Sequence, residues 1–219
     1  MDSNTEAAIF DLDGVLLDTE PLYTLATQTV VARYGKHYAP QHKRFVMGRA
    51  DIEGAQWLVE NLNLPITAKQ YLEERRGHLE SLFGDCPCVL GAESLVNDLS
   101  SRGIRLALAT SSARSLYQLK VKKHQWFDAF EFVVCGDDPR LHRSKPAPDI
   151  FLLASAALAV EPSRCLVFED SAAGVQAGLA AGMRVIAHLQ PPVTSTDVAK
   201  AEQIVSSYAE LNLDRLLKS

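Results

Sequence analysis

The sequence lacks an apolar run long enough to span a bilayer, which takes about 20 consecutive apolar residues. It also lacks a basic excess, because 22 Lys and Arg face 27 Asp and Glu and give a net charge of −5 at pH 7. Proteins that bind a phosphate backbone carry a basic surface instead. We therefore expect no membrane and no nucleic acid among the partners of this chain.

Cysteine is scarce, and its spacing favours neither disulfides nor a zinc site. The four cysteines are Cys86, Cys88, Cys135 and Cys165, and no second ligand pair completes a zinc site with Cys86 and Cys88. The six histidines are scattered along the chain. Residues 1–6 are acidic and polar, unlike a signal or transit peptide. These features predict reduced thiols and a cytoplasmic protein.

The apolar runs predict an α/β fold. With 219 residues, of which 47% are hydrophobic and 22% charged, the chain can bury the core of one or two globular domains. Short runs alternate with helical stretches at 92–101, 113–125, 148–159 and 172–181, which indicates a Rossmann-like parallel sheet with helices on both faces. The runs are Ala7–Phe10, Ile104–Ala109, Phe132–Cys135, Cys165–Phe168 and Arg184–Ala187, with a weaker one at Gln203–Val205.

Residues 18–88 interrupt this alternation with helices alone. Helical stretches lie near 20–34, 40–47, 50–62 and 67–83, without a convincing strand between them. We interpret 18–88 as an α-helical cap domain inserted into a core domain of residues 1–17 and 89–219. Two connections join the parts, so we expect the cap to hinge over the edge where the first strand ends. Arg75 and Arg76 are weaker candidates for a contact with a ligand and fit a solvated face of this cap better.

Two acids follow the first predicted strand. Asp11-Leu12-Asp13-Gly14 comes directly after the apolar run, and open α/β sheets bind ligands at the carboxyl edge of their strands. Two carboxylates at this spacing can divide the work, since one attacks or holds a metal while the other moves protons. Taken alone, the pair also fits two solvated turn acids.

Later strands end in polar residues as well. Thr110-Ser111-Ser112 offers a hydroxyl and backbone N–H groups to an anion, or forms a simple helix cap. Lys145, in a proline-rich loop, either directs an ammonium at a fixed point or lies on the surface. Glu169-Asp170 follows the fourth strand, and a hard cation such as Mg²⁺ would relieve the repulsion among acids gathered there. Because these features occur in order at strand ends, the functional interpretation is favoured.

This ordered set resembles the haloacid dehalogenase superfamily of phosphotransferases, and the helices of 18–88 look like the cap of its β-phosphoglucomutase-like subgroup. The resemblance covers essentially the whole chain. It is carried by the segments Phe10–Glu20, Ala109–Ser112, Lys145–Phe151 and Phe168–Gly174.

The resemblance implies a role for each motif residue. Asp11 would attack a phosphate monoester and form an aspartyl-phosphate, while Asp13 would act as general acid and then as general base. Thr110 and the N–H of Ser111 would hold the phosphoryl oxygens, and Lys145 would balance their charge. Mg²⁺ is the implied cofactor. Its implied ligands are Asp11, the backbone carbonyl of Asp13, Asp170 and, directly or through water, Glu169.

The resemblance leaves phosphatase and mutase open. Mutases of the subgroup carry a histidine four residues after the position of Thr19, where this chain has Tyr23, and this favours a phosphatase. Arg49 fits a mutase that holds a second phosphate, or a surface arginine at a helix start. Tyr23 fits either the cleft or the core of the cap. The candidate substrate contacts are Ser111, Ser112, Thr19, Tyr23 and Arg49.

The substrate class follows from the same resemblance. Members of the superfamily that hydrolyse carbon–halogen bonds lack the second acid, Asp13, and transport ATPases carry threonine at that position. Neither of these two activities therefore fits this chain. The segments Phe45–Gly48, Leu106–Ser112, Gly136–Pro139 and Cys165–Asp170 are similar to eukaryotic pseudouridine-5′-phosphatases, and glycerol-3-phosphatases and other sugar phosphatases share much of this pattern. The implied partner is a small nucleotide or sugar phosphate, pseudouridine 5′-phosphate among the candidates, bound by a monomer.

Overall fold

A six-stranded parallel sheet forms the centre of the computed structural model, which describes residues 4–46, 51–191 and 193–218. Within these ranges its strands are β1 (Ala7–Phe10), β2 (Arg105–Ala109), β3 (Phe132–Val134), β4 (Cys165–Glu169), β5 (Arg184–His188) and β6 (Gln203–Val205). They lie in the order β3-β2-β1-β4-β5-β6, and all neighbouring pairs are parallel. β1 lies between β2 and β4 and is buried on both faces, as its continuous apolar run requires. The Rossmann-like parallel sheet is confirmed.

A helical cap is inserted between β1 and β2. Its described helices are α1 (Glu20–Ala32), α2 (Pro40–Val46), α3 (Asp51–Leu62) and α4 (Ala68–Leu82). They share an apolar cluster of their own that contains Val30, Leu58 and Tyr71. Thr67 begins α4 with a reciprocal capping box to Gln70, which satisfies backbone N–H groups that the first helical turn leaves free. The predicted insertion of a helical cap is confirmed.

The remaining helices cover both faces of the sheet. They are α5 (Ala92–Ser101), α6 (Arg114–Val121), α7 (Asp149–Leu158), α8 (Ala172–Ala180) and α9 (Leu213–Leu216). Side chains alternate along a strand, so Phe10 joins the apolar cluster that contains Leu95 of α5, whereas Ile9 joins the cluster that contains Phe151 of α7. Among the helices of the described ranges, none is both long and apolar enough to cross a membrane.

The two connections between cap and sheet run side by side. Leu17 and Cys88 form an antiparallel bridge. Next to it, the N–H of Asp18 donates to the Pro87 carbonyl at 2.8 Å. The cap therefore begins and ends at neighbouring points of the core. Domain boundaries at 18 and 88, and hinge motion about them, stay predictions.

A few elements differ from their predicted bounds. The helix predicted over 113–125 ends at Val121, and a 3-10 turn follows at Gln125–Ala129. This turn brings Phe127 into the same apolar cluster as Phe10, where its side chain is buried. β3 ends at Val134, so Cys135 lies in the loop beyond the strand and not within it.

Candidate active site

The carboxyl edge of the sheet brings the predicted site residues together. Asp11 follows β1, Thr110 follows β2 and Glu169 ends β4, and these three strands are neighbours. The strand pairing continues one residue further, because the N–H of Asp11 donates to the Phe168 carbonyl at 3.0 Å. The backbone of Asp11 is therefore fixed by the sheet itself.

Lys145 connects these strand ends. Its Nζ donates to Asp11 Oδ1 at 2.6 Å, to Glu169 Oε1 at 2.6 Å and to the Ala109 carbonyl at 3.2 Å. The side chain is only 7% exposed, so Lys145 is not a surface lysine. Burial lowers the pKa of Lys145, but the charges of Asp11 and Glu169 outweigh burial and raise it above its ordinary value. A charged ammonium is thus fixed beside the Asp11 carboxylate.

Glu169 is held by protein donors on both carboxylate oxygens. While Oε1 accepts from Lys145, Oε2 accepts from the N–H groups of Asp170 at 2.8 Å and Ser171 at 2.9 Å. The Ser171 hydroxyl donates to the same oxygen at 3.0 Å and also accepts from the N–H of Gly174 at the start of α8. Glu169 is therefore a rigid acceptor that orients the Lys145 ammonium.

Buried negative charge exceeds positive charge around Lys145. The carboxylates of Asp11, Glu169 and Asp170 gather there with this one ammonium. Burial raises the pKa of Asp11 to about 7, although Lys145 acts in the opposite direction. Burial, with the charges of Glu169 and Asp11, raises the pKa of Asp170 well above its ordinary value. The arrangement would be stabilised by a further cation.

The donors at this edge fit Mg²⁺. Asp11 and Asp170 offer carboxylate oxygens, and Mg²⁺ in proteins is typically held by one or two carboxylates together with waters and phosphate oxygens. Asp170 packs directly on the loop after β1, since a Cβ at Gly14 would overlap its Oδ2. Across the described ranges, no group of three or more His, Cys, Asp or Glu side chains forms a ready-made metal site. The ligand set of Asp11, Asp13, Glu169 and Asp170 therefore stays a prediction.

The loop that carries Asp13 is supported from β5 and from the chain beyond β6. His188 Nδ1 donates to the Gly14 carbonyl at 3.1 Å, and the Tyr208 hydroxyl donates to the Val15 carbonyl at 2.7 Å. The two rings stack with centroids 4.7 Å apart. Both residues are buried, so they fix the loop as part of the core.

Asp13 is held by a second buried lysine. Its Oδ1 accepts from Lys120 Nζ at 2.6 Å, and its Oδ2 accepts from the Ser112 hydroxyl at 2.9 Å. Burial alone would raise the pKa of Asp13, but the Lys120 charge and these hydrogen bonds lower it below its ordinary value. The structure therefore places the two acids of the motif in different surroundings, with Asp11 beside Lys145 and Asp13 beside Lys120.

The hydroxyl motif after β2 lies between the two lysines. Thr110 is fully buried, and its Oγ1 accepts from the N–H of Ser112 at 3.1 Å. Lys145 contacts the carbonyl of Ala109 just before this motif, whereas Ser112 contacts Asp13 just after it. The predicted phosphate-binding corner therefore adjoins both acids.

The structure places two of the three candidate residues of the cap, Thr19 and Tyr23, next to the core. Thr19 is fully buried at the N-cap of α1, with its hydroxyl near the Asp13 carboxylate. Tyr23 extends toward the core, and its hydroxyl accepts from Lys120 Nζ at 3.1 Å. Arg49 lies outside the described residues, so the prediction of a substrate contact there stays a prediction.

Arg75 does not lie on a solvated helix face, and that prediction is wrong for this residue. Its guanidinium pairs with Asp51 at 2.9 Å and stacks 5.6 Å from the ring centroids of both Tyr23 and Tyr71. Only 15% of the side chain is exposed. Arg76 does lie on the solvated face, with 58% of its side chain exposed.

Lys120 is missing from the residues predicted from the sequence. It lies four residues after Leu116, which places it on the face of α6 that packs toward Phe83 of the cap. A charged residue at an apolar position of a helix is the only signal that the sequence contains. Such a signal does not identify Asp13 as its partner, because the contact joins residues 107 positions apart.

Comparison with known proteins finds a family model, named relatives and solved structures that match most of this chain. A model of the haloacid dehalogenase-like hydrolase family matches residues 8–188. A probable pseudouridine-5′-phosphatase of Drosophila melanogaster is 39% identical over 92% of this chain and 89% of its own length. The mitochondrial (DL)-glycerol-3-phosphatase 1 of Arabidopsis thaliana is 37% identical over 91% of this chain and 69% of its own. The crystal structure of β-phosphoglucomutase from Clostridium difficile superposes with a TM-score of 0.81 at 25% identity, covering 97% of this chain and 95% of that one.

Proposed function

We propose, since this chain belongs to the haloacid dehalogenase-like hydrolase family, that it hydrolyses a small phosphate monoester through an aspartyl-phosphate on Asp11. The chain is a phosphatase of this family, as its named relatives are. The observation that carries the proposal is the fixed Lys145–Asp11 pair beside Thr110 at the carboxyl edge of the sheet.

Asp11 would act as the nucleophile. Its carboxylate lies beside an ammonium that can also neutralise a transferring phosphoryl group, and phosphoryl transfer depends mainly on positioning and charge neutralisation. In the first step, an Asp11 oxygen bonds to phosphorus as the bond to the leaving oxygen breaks. In the second step, a water oxygen bonds to phosphorus and the bond to Asp11 breaks. Two easier displacements replace one difficult displacement.

Asp13 would carry the protons of both steps. It gives a proton to the leaving oxygen in the first step and takes one from the attacking water in the second. Its contacts with Lys120 and Ser112 show that it is oriented separately from Asp11. Thr110, with the N–H groups of the loop after β2, would bind the phosphoryl oxygens.

Asp11, Asp170 and the Asp13 carbonyl would hold Mg²⁺. When bound, the cation supplies charge neutralisation for the phosphoryl oxygens. Glu169 already accepts from protein donors on both oxygens, which favours contact with the metal through water over direct ligation.

The substrate would be a small nucleotide or sugar phosphate. Relatives named as phosphatases of pseudouridine 5′-phosphate and glycerol 3-phosphate both align over about nine-tenths of this chain, so pseudouridine 5′-phosphate is one candidate among several. A monomeric state and a cytoplasmic location stay predictions.

A sugar-phosphate mutase is the alternative, because a structural neighbour is named β-phosphoglucomutase. The hydrogen bond from Lys120 to the Tyr23 hydroxyl speaks for the phosphatase, since it engages the group that replaces the histidine of mutases. Incubation of β-glucose 1-phosphate with a bisphosphate primer separates the two reactions. Glucose 6-phosphate formed without phosphate release would establish the mutase.

Asp11→Asn tests the proposed nucleophile. It should abolish turnover of p-nitrophenyl phosphate, because the amide keeps the shape of the side chain but loses the attacking oxygen. Asp128→Asn is the matched control, since Asp128 is exposed and precedes β3 at the opposite edge of the sheet. It should keep wild-type turnover. EDTA should silence the wild type, and Mg²⁺ should restore it.

Circular dichroism of both variants checks that they are folded. Folded Asp11→Asn protein that still turns over would refute the assigned nucleophile, and turnover that chelation leaves undiminished would refute the metal role. A panel of pseudouridine 5′-phosphate, glycerol 3-phosphate and hexose phosphates then ranks substrates by kcat/KM.

A further inference from the structure

Lys120 is a buried ammonium at the junction of the cap and the core. It lies near the end of α6, and its side chain is 0% exposed. Lysine is almost never fully buried without a partner, because removing an ammonium from water costs several kcal/mol. A buried ion pair is weak evidence of a role in stability, since apolar residues of the same volume often stabilise as well or better.

The partners of Lys120 use all three of its donors. Nζ donates to Asp13 Oδ1 at 2.6 Å, to Ser112 Oγ at 2.8 Å and to Tyr23 Oη at 3.1 Å. Ser112 Oγ in turn donates to Asp13 Oδ2 at 2.9 Å. The Asp13 carboxylate is therefore fixed at both oxygens by one ammonium and the hydroxyl that this ammonium binds.

The same ammonium contacts the cap. Its Nζ lies 5.1 Å from the ring centroid of Tyr23 on α1 and 4.6 Å from that of Phe83 just after α4. Rings at these distances attract a cation through their negative faces. One charge thus binds Asp13 of the core and two aromatic residues of the cap.

We infer that Lys120 is a positioning residue that orients Asp13 for proton transfer and makes this orientation depend on the cap through Tyr23. The inference rests on the proposed function. Lys145, and not Lys120, contacts the nucleophile Asp11, so Lys120 acts through Asp13 without touching the reacting atoms. The Lys120 ammonium donates one of its hydrogen bonds to Tyr23. A shift of the cap that moves Tyr23 away would therefore change how the ammonium binds Asp13.

Lys120→Met tests the inference, because it keeps the length of the side chain and removes the charge. With 2,4-dinitrophenyl phosphate the leaving group needs no proton, so the first equivalent of phenolate should be released at nearly the wild-type rate. Later turnovers should be about 10²-fold slower, since the attacking water still needs Asp13 as base. With glycerol 3-phosphate the first turnover should be slowed as well, because an alkoxide leaving group needs the proton.

Two further variants complete the test. Lys122→Met, at an exposed position just after α6, should match the wild type with both substrates. Tyr23→Phe removes only the cap-side acceptor, so it should give the same pattern as Lys120→Met at smaller amplitude. This variant retains the buried charge, and it supplies the readout if Lys120→Met does not fold.

The outcomes separate this inference from the proposed function. Equal slowing of the first and later turnovers with both substrates in folded Lys120→Met would overturn the positioning role, because it indicates a general structural defect. Unchanged turnover of glycerol 3-phosphate in Lys120→Met, or wild-type behaviour of Tyr23→Phe, would overturn it too. Wild-type protein that hydrolyses neither ester would overturn the proposed function and this inference together.

Discussion

Gly14 provides a direct test of the proposed magnesium site. It has φ of +80°, and a Cβ at this position would overlap Asp170 Oδ2 and lie 2.8 Å from Asp170 Cγ. Gly103 has nearly the same backbone conformation, with φ of +77°, but nothing lies within 4 Å of a Cβ there. Gly103→Ala is therefore the matched control for Gly14→Ala.

The two substitutions differ in one energetic contribution. Both place an L-residue in the left-handed region, which costs about 1–2 kcal/mol. Gly14→Ala also overpacks a buried site, which costs about 1–3 kcal/mol more if Asp170 stays in place. The largest total, about 5 kcal/mol, reaches only the lower end of the ordinary stability of a domain, about 5–15 kcal/mol, so we expect both variants to fold. If Asp170 turns away instead, the cost falls on Mg²⁺ binding, where 1–3 kcal/mol corresponds to roughly 5- to 150-fold weaker affinity.

The assay is turnover of an aryl phosphate against Mg²⁺ concentration, with urea unfolding measured in parallel. Gly14→Ala should need about 5- to 150-fold more Mg²⁺ for half-maximal rate, and Gly103→Ala should need no more than the wild type. Both variants should lose stability. If Asp170 stays in place instead, Gly14→Ala should lose about 1–3 kcal/mol more stability than Gly103→Ala. A Gly14→Ala enzyme with the Mg²⁺ requirement of the wild type and no greater loss of stability than Gly103→Ala would show that Asp170 is not a ligand, and the reasoning would fail.

Two further substitutions test the site and the cap. Gly174→Ala should lower kcat about 10²-fold, because its Cβ would overlap the Glu169 carboxyl group and displace that group from Lys145. Gly77→Ala is the control and should leave kcat unchanged, since nothing lies within 4 Å of a Cβ at this position. Equal kcat in both variants would contradict the role of the Glu169 carboxylate. Tyr71→Phe should cost about 1–3 kcal/mol in urea unfolding, because it removes the buried 3.1 Å hydrogen bond to Thr27. Adding Thr27→Val should recover most of this loss, and a doubly substituted protein no more stable than Tyr71→Phe would argue against the bond.

The sheet edge could be predicted because its determinants are local. Each strand is a short apolar run, and the residue at its carboxyl end is read directly from the sequence, as with Asp11 after β1 and Glu169 in β4. Parallel strands share one carboxyl edge, so the sequence places these acids on the same edge, and they meet because β1 and β4 are neighbours in the sheet. Lys145 lies in the loop that follows β3, so it too is predicted at this edge of the sheet. Its hydrogen bond to Asp11 joins residues 134 positions apart.

Contacts between cap and core could not be predicted in this way. Lys120 and Tyr23 lie on helices whose relative placement depends on how the two parts of the chain pack, and no periodicity encodes it. Arg75 shows the same limit. Its sequence position predicts a solvated helix face, whereas in the structure Tyr23 and Tyr71 cover its guanidinium. For Asp13, the sequence indicates an acid after a strand but not the lysine that holds it.

The bridge between Leu17 and Cys88 has an evolutionary consequence. An insert whose entry and exit touch imposes no fixed length or shape on the polypeptide grafted between them. Another set of helices could replace α1–α4 without disturbing strand order or the bond between Lys145 and Asp11, provided that it offers Lys120 a partner in place of Tyr23. Selection can therefore exchange the whole cap, while the strands that carry Asp11 and Glu169 are inherited intact.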